Sequence, residues 1–307
     1  MRKPRALRFG DRVAIVAPAS PFARDEFDAG VAELRALGFE PVWDESVFAR
    51  DRYLAGAAEA RAEAFRRAWA DPAVAALVAA RGGYGSVQLL PLLDREPILE
   101  APKAFIGYSD TTSLLSWLTL SCGITSFHGP MLERRFSRGD AGYDRDSFLR
   151  CLCRAEPAGP IAHPHLVALR AGEATGMLVG GTLSIIVASL GTPYAFDPPR
   201  GCVLFLEDVD ERPYRVDRML TQLRLSGILG RASALVFGEL KGCDEPGGDP
   251  AIRDVVVSLT RDFPGPVLFG LPSGHTGGAI VTLPLGVRAR VLTGGAPALI
   301  IEEAAVC

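Results

Sequence analysis

Three times in its first half the chain runs through a short apolar stretch, stops at a glycine, proline or serine, and begins a segment with helical spacing. Val13-Ala14-Ile15-Val16-Ala17 halts at Pro18, which cannot donate to a sheet ladder, and Phe27, Val31, Leu34 and Leu37 then recur on one helical face until Gly38. Ala75 to Ala80 runs into Arg81-Gly82-Gly83-Tyr84-Gly85, which opens a helix toward Leu93, and Phe105-Ile106 leads to a corner at Ser109 with a helical segment from Thr111 to Leu120. A further helix is expected from Ala57 to Trp69 and a strand from Thr125 to Phe127. Strands that alternate with helices pair in parallel and are covered on both faces. Ligands of such sheets sit beyond the carboxyl ends of the strands, where both the Gly82-Gly83 loop and Ser109 fall.

Periodicity weakens from about Glu133 to Gly172, and we divide the chain there: residues 1–135 as an N-terminal α/β domain, 136–172 as an inter-domain connection, and 173–307 as a second domain. In the second domain a turn is expected at Gly180-Gly181, an apolar helix through Leu190 and a strand from Val203 to Leu206 that ends in Glu207-Asp208-Val209-Asp210-Glu211. Helices are expected over Tyr214–Leu225 and Ile252–Leu259, a strand over Leu235–Phe237, and β structure from Ile280 to Ile301.

With 307 residues, 48% of them hydrophobic, and a net charge of −3, the chain can bury two cores and carries no basic patch for nucleic acid or anionic lipid. Its apolar runs fall short of the roughly 20 residues that span a bilayer. The apolar stretch after the basic start is broken by Asp11 and Arg12, so it reads as a strand rather than a secretory signal, and the expected location is the cytoplasm. Six cysteines are expected as reduced thiols. Cys151-Leu152-Cys153 with His163 and His165 has the wrong spacing for zinc, so no metal and no cofactor is expected.

A serine at a strand-to-helix corner presents its hydroxyl at the sheet edge, although Ser109-Asp110 could equally cap the next helix. A nucleophilic serine needs a base, an orienting carboxylate and oxyanion donors. Of the four histidines, His163 and His165 lie in the proline-containing connection, and His128 follows a strand where it could line a pocket, although a hydrogen bond to the turn is the expected role. His275 stands among residues too small to bury it, in Ser273-Gly274-His275-Thr276-Gly277-Gly278. Glu207 is the first carboxylate after its strand, with Asp208, Asp210 and Glu211 as competitors. Neither G-x-G-x-x-G nor G-x-x-x-x-G-K-[ST] occurs, and Gly107-Tyr108-Ser109-Asp110-Thr111 lacks the second glycine of G-x-S-x-G.

Taken in order, Gly10-Asp11 with Val13–Pro18, Arg81–Gly85, Gly107–Asp110, Phe127-His128-Gly129-Pro130, Leu206–Val209, Pro213–Arg218, and Gly274-His275 with Leu283–Gly286 give the chain its family likeness. It resembles the L,D-carboxypeptidases, serine peptidases that remove the terminal D-alanine from murein tetrapeptides, a family that includes microcin-immunity peptidases. The resemblance implies Ser109 as nucleophile, His275 as general base and Glu207 as its carboxylate. It implies an N-terminal flavodoxin-like parallel-sheet domain carrying the serine and a C-terminal β-rich α/β domain carrying the other two, in a metal-free homodimer. The backbone amides of Asp110 and Gly83 are the oxyanion candidates. Thr182 stands where asparagine is expected after the glycine pair, and Ser273 and Thr276 flank the histidine differently from the family pattern. The same triad would suit peptidyl-nucleotide antibiotics as substrates, and a reading of another class is a non-catalytic protein that cradles a small ligand.

Overall fold

A computed structural model covers residues 1–307. Its first sheet is built from β1 (Arg12–Val16), β2 (Glu40–Trp43), β3 (Val74–Ala79), β4 (Ala104–Gly107) and β5 (Ser126–His128), all parallel, with α1 (Arg24–Ala36), α2 (Ala58–Ala70), α3 (Arg95–Glu100) and α4 (Thr112–Ser116) between them. The spatial order β5-β4-β3-β1-β2 is that of the flavodoxin-like fold. In the centre, β3 is buried at all six positions, as a strand covered on both faces must be. Helix α1 buries Phe27, Val31 and Leu34, carries Asp25 and Glu26 in its first turn and Arg35 in its last, and is followed by Gly38 at φ +89°, a left-handed stop. The stretch after Gly85 is a 3₁₀ run, Ser86–Leu92, with Pro91 inside it, instead of an α-helix. A π-helical turn, Trp117–Ser121, extends α4.

The segment drawn as a connection holds regular structure. It contains α5 (Arg145–Cys153), which carries the two cysteines, then β6 (Pro157–Ile161) and β7 (Val167–Arg170). The two strands take opposite edges of a second sheet, where one short face each gives little sequence period. The rest of the chain comprises β8 (Glu173–Thr182), α6 (Leu183–Ser189), β9 (Cys202–Glu207), α7 (Pro213–Leu225), β10 (Ala232–Gly238), α8 (Ile252–Leu259) and β11 (Val267–Leu271), with β12 (Leu283–Leu285), β13 (Arg288–Leu292) and β14 (Ala298–Ala304) at its end, and all of these strands except β12 join the second sheet. Its order is β6-β14-β13-β8-β9-β10-β11-β7, with β8 to β11 parallel and the flanks antiparallel. Gly180-Gly181 is not a turn but the end of β8. A Cβ on Gly180 would stand 2.7 Å from the Phe205 carbonyl carbon, and one on Gly181 2.7 Å from Thr112 Cγ2. Glycine there lets β8 lie close against β9 on one side and against the first domain on the other.

Strand β12 crosses back to pair antiparallel with β5, Leu283 opposite His128, so the chain end stitches the domains together. The two faces of β9 face two cores. Cys202, Leu204 and Leu206 pack under α6 to α8, whereas Val203 and Phe205 join the core shared with the first domain. The period of two therefore aims the next residue, Glu207, at the first domain. No helix is long and apolar enough to cross a membrane.

Candidate active site

Ser109 follows β4 at φ +64°, a left-handed conformation that a side-chain-bearing residue adopts only under constraint. It begins the helical turn Ser109–Thr111, and the cap positions of that turn and of α4 are Tyr108 and Thr111, neither of which makes a side-chain capping bond. Gly82 lies directly against it: a Cβ there would be 3.0 Å from Ser109 Oγ and 3.4 Å from Asp110 N. The next residue, Gly83, holds φ +97°, and its amide donates to no backbone carbonyl among the loop hydrogen bonds. The loop is fixed from behind. Ser86 N donates to Asp110 Oδ2 at 2.8 Å, Ser86 Oγ donates to Asp110 O at 2.6 Å, and Tyr84 N donates to Ser20 Oγ at 3.1 Å. The buried guanidinium of Arg61 donates to the carbonyls of Pro18, Gly56 and Gly85 and to Gln88 Oε1. Burial pushes the Asp110 carboxyl above its usual range, against its bonds from Ser86 and Gly85.

From the second domain come the other two residues. Glu207 is fully buried and its Oε2 accepts from both His275 N and His275 Nδ1, each at 2.8 Å. Its Oε1 accepts from Thr182 Oγ1, and Thr182 N donates to Thr112 Oγ1 at 3.1 Å. Thr182 thus bonds at once to the carboxylate and to the helix behind the serine. Gly274, at φ +79°, makes this approach possible, since a Cβ would stand 2.5 Å from Glu207 Oε2. The His275 side chain remains 19% exposed, so its outer edge can meet a ligand. Burial opposes charge on His275, but the Glu207 carboxylate outweighs it and raises the pKa above the usual 6.5. Burial likewise opposes the Glu207 carboxylate, and His275 and His128 overcome it, holding the carboxyl well below its usual range. Nδ1–H pointing at Glu207 leaves Nε2 as the nitrogen free to take a proton. In this structure the imidazole is bonded to Glu207 and not to Ser109 Oγ, a link that commonly tightens only around substrate.

The competitors for Glu207 are placed elsewhere. Asp208 faces the other way and receives Ser184 N at 2.8 Å and Val209 N at 3.0 Å, its carboxyl pushed up to about 6 by burial and by Glu207 beside it. Asp210 serves a left-handed turn bonded to Lys241 O, and Glu211 pairs with Arg215. His163 and His165 lie against each other, ring centroids 4.9 Å apart.

His128 belongs to the site more closely than its expected turn bond suggests. It is wholly buried, with Nε2 3.8 Å from Glu207 Oε1. The Ser273 hydroxyl gives its proton to Val281 O at 2.9 Å, so at 3.1 Å it accepts from His128 Nδ1. Sequence reasoning also passed over Tyr108, whose ring lies 5.1 Å from the His275 ring. Thr182 it noted only as a departure. Thr182 is the direct neighbour of Glu207 across the β8–β9 pair, a register that only the folded chain reveals.

The model of the LD-carboxypeptidase N-terminal domain matches residues 13–129, and that of the LD-carboxypeptidase C-terminal domain matches residues 175–291. The chain belongs to the LD-carboxypeptidase family. As a member of this family of carboxypeptidases it is a hydrolase. It is 33% identical over 305 residues to the probable murein peptide carboxypeptidase of Bacillus subtilis, covering 97% of this chain and 94% of that one. A solved structure of the muramoyltetrapeptide carboxypeptidase from Oxalobacter formigenes superposes with a TM-score of 0.82 at 30% identity, covering 95% of this LD-carboxypeptidase and 99% of the other chain. The Microcin C7 self-immunity protein MccF of Escherichia coli is 27% identical over 93% of this chain and 91% of its own.

Proposed function

We propose that this LD-carboxypeptidase works by serine catalysis, hydrolysing the L,D amide bond before the terminal D-alanine of murein tetrapeptides. It would act as a cytoplasmic homodimer in cell-wall recycling. The supporting observation is the buried Glu207–His275 pair, presented by one domain to the strained Ser109 corner of the other. Ser109 Oγ attacks the scissile carbonyl while His275 Nε2 takes its proton, and Glu207 holds Nδ1–H and balances the imidazolium. The amides of Gly83 and Asp110 receive the oxyanion. Collapse breaks the C–N bond, His275 returns the proton to the leaving amine of D-alanine, and an ester remains on Ser109. Water, deprotonated by the same imidazole, attacks that ester and frees the shortened peptide.

The likeness to MccF supports a second substrate for the same machinery, an aminoacyl sulfamoyl nucleoside such as the glutamyl sulfamoyl guanosine held in one MccF structure. Measuring kcat/KM for both substrates separates the readings. We expect the tetrapeptide to be turned over more efficiently. The reverse order assigns the aminoacyl sulfamoyl nucleoside.

A further inference from the structure

Arg135 lies beyond β5 in the first domain, is only 8% exposed, and gives every one of its donors to neutral partners. Nε donates to Tyr108 Oη at 3.2 Å. Nη1 donates to Gly142 O at 3.3 Å and Gly278 O at 2.9 Å. Nη2 donates to Gly274 O at 2.8 Å and Thr276 O at 3.3 Å. A guanidinium owns five N–H groups, so none is left for a substrate carboxylate. Three of the four carbonyls, those of Gly274, Thr276 and Gly278, bracket His275. The fifth acceptor, Tyr108, precedes Ser109, carries the cation 5.5 Å from its ring centroid, and meets the His275 ring edge-on.

Burying a cation against carbonyl dipoles with no carboxylate to neutralise it is expensive. The loop it grips is rich in glycine and has little side-chain mass with which to hold itself. We infer that Arg135 is the positioning residue that fixes the His275 loop over the Ser109 corner, coupling the base of one domain to the nucleophile of the other. This rests on the proposed roles of Ser109 and His275. Lysine cannot replace it, because a compact ammonium offers three donors and no planar fork.

The test compares Arg135→Lys, Arg135→Met and Tyr108→Phe with the intact enzyme in D-alanine release from a murein tetrapeptide, with thermal unfolding and a pH profile alongside. His275 is faced by Glu207 from the end of β9, by Tyr108 and Arg135 from the first domain, by His128 across Glu207, and by Glu239 at the neighbouring Gly277 amide, and Asp208, turned the other way, acts on it through its charge alone. Of these Arg135 opposes the imidazolium, so the acid limb of kcat/KM should move to higher pH in Arg135→Met and stay in place in Arg135→Lys. Both variants should lose about 10²-fold in kcat, as a small misplacement of a reacting group does, with KM changed less than about threefold. Wild-type kcat in Arg135→Lys, or a loss confined to KM or to unfolding temperature, overturns the inference. If neither arginine variant folds, Tyr108→Phe decides: about a fivefold fall in kcat supports the coupling, and an unchanged kcat overturns it. Ser109→Ala in the same assay keeps the two claims apart. Retained turnover there sinks the serine mechanism, whereas wild-type turnover in Arg135→Lys beside a dead Ser109→Ala sinks only the role of Arg135.

Discussion

Gly274→Ala tests the geometry of the proposed base, His275, more sharply than removal of any of the proposed catalytic groups. The added Cβ would lie 2.5 Å from Glu207 Oε2 and 2.9 Å from its Cγ, where ordinary contact starts at 3.4 Å, so the groups must part by about 0.9 Å. Glu207 cannot yield. Thr182 holds its Oε1, and the Gly238 backbone packs closely behind it, where even an added Cβ would fall 2.6 Å from Glu207 Cβ. The loop must retreat instead and take His275 with it, and a displacement near 1 Å costs about 10²-fold in rate. The left-handed φ of +79° adds roughly 1–2 kcal/mol of destabilisation for any residue with a Cβ. D-alanine release and equilibrium unfolding measure the two effects separately. Gly277→Ala, two residues past the base and with Glu239 Oε2 4.0 Å away, serves as the control and should stay within about twofold of wild type. A Gly274→Ala enzyme with kcat within threefold of wild type would refute the claim that the Glu207–His275 contact sets the position of the base.

The pH dependence follows from the same pair. His275 must be neutral to accept a proton, and Glu207 raises its pKa, so activity should fall as pH drops through a limb above 6.5. The linkage to stability has the matching sign: the stabilising His275–Glu207 attraction is complete below the unfolded value and is lost as pH rises through the raised folded one. Asp208→Asn removes a charge that favours the imidazolium and should move the limb down by less than about one pH unit in initial-rate measurements. Thr182→Val should strip a buried carboxylate of one donor, lowering stability by about 1–3 kcal/mol and reducing kcat, whereas Thr182→Ser should restore both in unfolding and turnover assays.

Local sequence carried the parts of this molecule that depend on local physics. The apolar runs ending at Pro18, Arg81 and Ser109 became β1, β3 and β4, adjacent strands that include the point between β1 and β3 where the sheet order reverses. Even the preference for Glu207 over Asp208 was implicit in the alternation Val203, Phe205, Glu207, which the two cores of β9 make physical. Edge strands β6 and β7 escaped because their partners lie far along the chain and only Ile161 among their residues is buried. Gly180-Gly181 misled for a related reason: glycine serves close approach as readily as a turn, and only the neighbouring Phe205 and Thr112 tell which. Arg135 left no pattern, since four of its five acceptors are backbone carbonyls, which any sequence supplies.

The central claim is that Ser109 is the nucleophile and that His275, oriented by Glu207, activates it. Its most direct test is reaction of the intact enzyme with a fluorophosphonate, followed by peptide mapping by mass spectrometry. The account predicts one adduct, on Ser109, blocked by tetrapeptide and formed at least about 10³-fold more slowly in His275→Ala. Labelling at another residue, or labelling of Ser109 at an unchanged rate without His275, would contradict it.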